Sequence, residues 1–133
     1  IIDRAPGASV EIVESIENLA DMTGRNHGSM FVAPFRERAK PNQRATGGHL
    51  QEVGTQAVVA FLTRNFSDDT GAARVSDFDL FKGRIEAALA GWQPNEEFDQ
   101  FELVGGEATA LAKGVSLYAQ TWETTRLLEG HNA

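Results

Sequence analysis

Asp69-Thr70-Gly71 is the string with the most direct chemical meaning in this sequence. In retroviral-type aspartic proteases the same three residues present one of two aspartates that share a proton across a dimer. Here Phe66-Ser67-Asp68 precede the string where an apolar strand is needed, and no later apolar-apolar-Gly element supports the aspartate. A turn is therefore the better reading, with a small aspartic hydrolase using Asp69 kept as the enzymatic alternative. His27, His49 and His131 lie in polar surroundings without a carboxylate at metal-ligand spacing, so each reads as a solvated loop histidine rather than a ligand. Gly47-Gly48 lacks the Gly-Lys-Ser/Thr that completes a phosphate-cradling loop, and Lys82-Gly83 sits inside a helical pattern. Asn65-Phe66-Ser67 matches a glycosylation sequon without a secretory signal. Glu96, Glu97 and Asp99 resemble a paired-carboxylate site, but a connection without an apolar wall seldom raises a carboxyl pKa.

The remaining charged feature is basic. Arg36, Arg38, Lys40 and Arg44 stand within "RERAKPNQRATGGH", from Arg36 to His49, which reads as a long exposed loop or hairpin arm. With 12 basic against 19 acidic residues and a net charge of -7, the chain as a whole repels nucleic acid, so contact with protein is favoured over contact with DNA. No cysteine is present, which excludes disulfides, thiolate metal sites and a cysteine nucleophile. No metal or other cofactor is expected. The longest apolar runs, such as Ala57 to Leu62, fall far short of the ~20 residues that span a bilayer, and a soluble, unsecreted protein is expected.

Periodicity places these residues on elements. At 133 residues and 41% hydrophobic content the chain fits one domain, residues 1–133. Alternation around Val10 and Ile12 predicts a short strand, and Ile16, Leu19 and Ala20 predict a short amphipathic helix from Ser15 to Met22. "SMFVAPF" predicts a strand whose Pro34 belongs at an edge or a strand end. "LQEVGTQAVVAFLTRNF" is apolar on both faces in its middle and predicts a central strand covered by helices. An exposed loop over 65–75 follows, containing Phe66, Asp68 and Asp69, and then a helix capped by Ser76. Phe78, Phe81, Ile85, Ala88 and Leu89 form its apolar stripe. In "AALAGWQP", Gly91 takes the left-handed position past the helix end, Trp92 packs back on the last turn and Pro94 prevents resumption. "FELVGGEATAL" and "VSLYAQTWETTRLL" predict two strands joined at Lys113-Gly114, with Gly105-Gly106 marking a bulge or close approach and Trp122 in the aromatic second strand. Residues 129–133 read as a flexible tail. The fold class is α/β (α+β): a mainly antiparallel mixed sheet of about four to five strands against two helices.

In order and spacing these elements resemble the tail terminator proteins of long-tailed phages, particularly the small group found in Mu-like and related prophages. The resemblance is carried by "MFVAPFRERAKPN" (30–42), "QEVGTQAVVAFLTRN" (51–65), "AALAGWQP" (87–94), "FELVGG" (101–106) and "SLYAQTWETT" (116–125). It implies a non-enzymatic structural protein of the virion, located at the tail-neck junction and assembled in the bacterial host cytoplasm. It also implies a hexameric ring that sits on the tail tube, stops its polymerisation and offers its other face to head-completion or stopper proteins.

The partners implied are further copies of the chain, the major tail tube protein and a head-completion or stopper protein, with the tape measure protein a further candidate. DNA would pass through the ring without specific binding. Another head-tail connector of similar fold is the alternative within the same class. Family members normally carry a helix before the first strand, of which "IIDRAP" would be a remnant. Arg36, Arg38, Lys40, Arg44, Phe66, Asp68 and Asp69, on the two predicted loops, are the expected subunit and tube contacts.

Overall fold

The computed structural model describes residues 10–12, 27–44, 47–64, 72–112 and 114–130. These form a five-stranded mixed sheet and, among the described residues, one helix. The strands are β1 (Val10–Ile12), β2 (Met30–Ala39), β3 (His49–Arg64), β4 (Glu102–Ala112) and β5 (Val115–Gly130), with α1 (Ala72–Leu89) between β3 and β4. Their order across the sheet is β1-β2-β3-β5-β4. Only β1 and β2 pair in parallel; β2 with β3, β3 with β5 and β4 with β5 are antiparallel, as a mainly antiparallel mixed sheet requires. The expected helix from Ser15 to Met22, and a helix before β1, lie outside the described residues.

β3 takes the central position because both of its faces are apolar. Val59 and Phe61 face α1 and join Met30, Ile85, Leu89, Phe101 and Trp122 in one core cluster. Val58, Ala60 and Leu62 face the other way and join Phe31, Ala33, Val115 and Leu117 in a second. The stripe read from the sequence is the face α1 buries: Ile85 and Leu89 are in the core, and Phe78, Phe81 and Ala88 pack against it. Phe61 is the hub, with the rings of Phe78, Phe81 and Tyr118 at 5.7, 5.5 and 5.5 Å. A buried polar relay crosses the same interface. The Trp122 indole N–H donates to Gln120 Oε1 at 3.2 Å, and Gln120 Nε2 donates to Glu86 Oε2 at 2.9 Å.

Gly91 is left-handed, with φ 77°, where the helix stops. Trp92 N–H still donates to the Leu89 carbonyl at 3.0 Å, but its ring stacks on Phe101, 5.7 Å between centroids and 11° between planes. Paired backbone bonds between Gly91, Trp92 and Phe101 reinforce the contact. Trp92 therefore ties the end of α1 to the lead-in of β4, a longer reach than packing on its own last turn.

Three expectations need correction. The helix begins at Ala72, so Ser76 lies inside it rather than at its cap, and residues 72–75 of the expected 65–75 loop belong to it, the rest of that loop lying outside the described residues. Ala72, Ala73 and Arg74 are strong helix formers, which lets the helix start ahead of the Ser-Asp signal. The expected loop or hairpin arm over 36–49 is ladder at its two ends: Arg36 to Ala39 pair with Val53 to Gln56, and His49 belongs to β3. Lys40 and Gln43 N–H groups then bond back to the Glu52 and Leu50 carbonyls, and Asn42 Oδ1 accepts the Leu50 N–H at 2.8 Å. Glu129 and Gly130, expected in a flexible tail, pair with Leu50 and His49. Pro34, expected at an edge or a strand end, takes the edge position. The chain passes it with a register shift between Pro34 and Arg36, at a level where β1 no longer flanks β2, so the missing N–H costs no ladder bond.

Candidate assembly surface

The bulge at Phe35 decides how the basic stretch is presented. Alternation alone puts Phe35 and Arg36 on opposite faces; the extra residue turns both toward the face away from α1. The Arg36 guanidinium lies 4.9 Å from the centroid of the Phe35 ring, and its Nε donates to Gln56 Oε1 at 2.9 Å. Gln56, 5% exposed, donates in turn to Glu123 Oε1 at 3.2 Å. Glu123 stands in register with Glu102 on β4. Arg36, Gln56, Glu123 and Glu102 thus form one polar rung across β2, β3, β5 and β4, starting on a cation and ending on two carboxylates.

Beside the rung the same face holds an apolar groove of about 520 Å³. Val58, Leu117 and Ala119 form its floor, Phe35 one wall, and Val104 and Glu107 of β4 belong to the other. Phe35 and Val104 remain 39% and 53% exposed. From Glu102 to Ala110 every residue of β4 is exposed, and among the described residues its only neighbour is β5. The site therefore combines a strand edge that is open among the described residues with exposed apolar side chains and separated charges. Among the described residues no group of His, Asp and Glu could hold a metal ion.

The chain matches the family described as phage tail terminator protein over residues 3–132. It belongs to the phage tail terminator family. No curated protein sequence matches it. Membership makes this a structural protein of the phage tail and a component of the virion, in a family of structural rather than enzymatic proteins.

The expected contact residues divide into two sets. Arg36 and Arg38 stand on the outer half of β2, Lys40 directly after it and Arg44 in the connection, all exposed along one end of the sheet. Lys40 Nζ is engaged by Glu52 Oε2 at 2.9 Å, which holds the Glu52 carboxyl below the usual carboxylate range through that hydrogen bond and the lysine's charge. Glu37, on the α1 side, is taken by Arg126 at 2.8 Å. Phe66, Asp68 and Asp69 lie outside the described residues, as do His131 and the 65–67 sequon.

The histidine reading also changes. His27 is half-buried: its Nδ1 accepts the Arg64 backbone N–H at 2.9 Å, so Nε2 carries the proton that meets Asp77 Oδ2 at 3.0 Å. His49 bonds to Gln51 within β3. Glu96, Glu97 and Asp99 are all exposed, and the Asp99 backbone bonds along β5 through Thr124 and Thr125. Sequence reasoning missed Phe35, Gln56, Val104, Glu102, Glu107 and Glu123. The period-2 pattern carries their faces, but the bulge and the strand order that gather them are not written in it.

Proposed function

We propose that this tail terminator forms a hexameric ring on the finished tail tube, stops addition of further tube protein, and gives its outer face to a head-completion or stopper protein at the tail-neck junction. The observation that carries the reading is family membership over residues 3–132. The sheet supports it with two edges that are open among the described residues, the outer half of β2 and β4, since head-to-tail contacts in a closed ring use two different surfaces. A net charge of -7 suits a lumen that DNA crosses without being held, because affinity for the duplex depends on cationic contacts to phosphate. The test is electron microscopy of tails made without the protein. Overlong tubes without heads are expected. Tubes of normal length that fail to join heads would instead make the chain a neck-completion protein, and normal virions would reject both.

A further inference from the structure

We propose that successive copies join by strand addition, β4 of one copy pairing antiparallel with the outer half of β2 of the next, so that the sheets run on from copy to copy. The proposal rests on the ring reading above and names the surface that closes the ring.

Both edges are open among the described residues. Among the described residues β4 pairs only with β5, and β1 covers β2 only over Met30 to Val32, leaving Phe35 to Ala39 without an outer neighbour. Open edges expose backbone donors and acceptors that a further strand satisfies. β4 contains no Lys, Arg or Pro to repel a partner strand. Its register shifts lie near its two ends, and the stretch between them, Gly106 to Ala110, is regular and small enough for close approach.

The directions also agree. β2 opposes β3, β3 opposes β5 and β5 opposes β4, so β4 runs opposite to β2. A neighbour related by rotation about an axis along the strands brings its β2 beside β4 in antiparallel sense, with the same face turned the same way.

The charges complete the fit. Glu102 and Glu107 are the only charged residues of β4, and both lie on the groove face. Arg36 and Arg38 lie on that same face of β2, opposite Gln56 and Gly54. Arg38, Glu102 and Glu107 form no ion pair among the described residues. Because β1 occupies the outer side of β2 at Met30 to Val32, the neighbour's β4 fits with Gly106 to Ala110 alongside Ala39 to Phe35, and its Glu107 then stands opposite Arg38 on the shared groove face.

Two charge reversals test this in the full chain, R36E/R38E and E102R/E107R, with mass measured in solution and on tail tubes purified from terminator-free particles. Each variant alone is expected to lose ring assembly by on the order of a hundredfold. An equal mixture is expected to restore rings in which the variants alternate, since each then offers the edge the other needs. Because the chain has no cysteine, Arg38→Cys with Glu107→Cys should also give a ladder of disulfide-linked copies in an otherwise native protein.

Rings formed normally by either variant alone, a mixture that does not recover, or absence of the cross-link would overturn the strand pairing while leaving the ring reading in place. A native chain that stays monomeric both alone and on tubes would overturn both.

Discussion

The relay from Glu86 through Gln120 to Trp122 makes a prediction whose size follows from its geometry. Gln120 is 0% exposed and Trp122 1%, so neither side chain can exchange its partner for water. Gln120→Leu keeps the volume near native but removes the acceptor of the Trp122 N–H, which costs about 1–3 kcal/mol for a buried orphan donor. Glu86 is half-buried and regains water, adding little. Trp122→Phe removes the donor, orphans Gln120 Oε1 and leaves a cavity, for a loss of about 2–4 kcal/mol. In the double variant both ends of the bond are gone, so the loss should fall short of additivity by about 1–2 kcal/mol. For a chain of this size 1 kcal/mol corresponds to roughly 3–5 °C in Tm. Urea unfolding at one fixed protein concentration measures the four corners of the cycle, fixed because assembly would stabilise the native state by mass action. A Gln120→Leu variant within about 0.5 kcal/mol of native, or strict additivity, would refute the claim that this bond is sealed from water.

Three further outcomes are expected. Gly91→Ala forces a side chain into φ 77° and should cost about 1–2 kcal/mol, whereas Gly83→Ala, mid-helix with open space where its Cβ would stand, should add about 0.5–1 kcal/mol; thermal melts separate the signs. Lys40→Met should let the Glu52 carboxyl rise toward the ordinary carboxylate range, read by carbon-detected NMR titration. Since pairing depresses that pKa, its contribution to stability is present above the ordinary carboxylate range and lost as pH falls through the lowered value; a native-like titration in the variant would contradict the Lys40 assignment. His27→Ala should cost about 1–3 kcal/mol by orphaning the Arg64 N–H, while His49→Ala, in a half-buried strand position, should cost less; denaturant midpoints compare the two.

Much of the fold was legible because hydrophobic period is a local signal. The two-faced apolar run around Val58 to Phe61 announced a central strand, the stripe from Phe78 to Leu89 announced the helix face, and Gly91 and Lys113-Gly114 announced a stop and a turn. Gly105-Gly106 was legible as a class of feature: the register shifts between Leu103 and Gly105, and a Cβ on Gly106 would overlap the Tyr118 hydroxyl. What failed were decisions in which local preference meets tertiary pairing. Polar, Pro-containing residues from Arg36 onward read as loop by composition, yet β3 offers them a complementary ladder through Glu52, and pairing outweighed propensity. Ser76 carried a capping signal that the helix overran.

The candidate surface was less legible, for a reason built into sheets. Alternation tells which face a side chain takes but is silent on which strand lies alongside, and a single extra residue reverses faces for everything beyond it. Without the bulge at Phe35, Arg36 and Arg38 would turn toward the α1 side, where Glu37 meets Arg126, and Glu37 would turn to the groove face beside Gln56 and Glu123. The cations would then stand on the opposite face from Glu102 and Glu107, and no charge pairing between the two open edges could form. The one-residue shift after Pro34 therefore sets the polarity of the sheet's outer edge, and a variant deleting Phe35 should fold its α1-side core while losing assembly. Near-native unfolding of the α1-side core with retained rings in that variant would show that the edge charges do not select the neighbour.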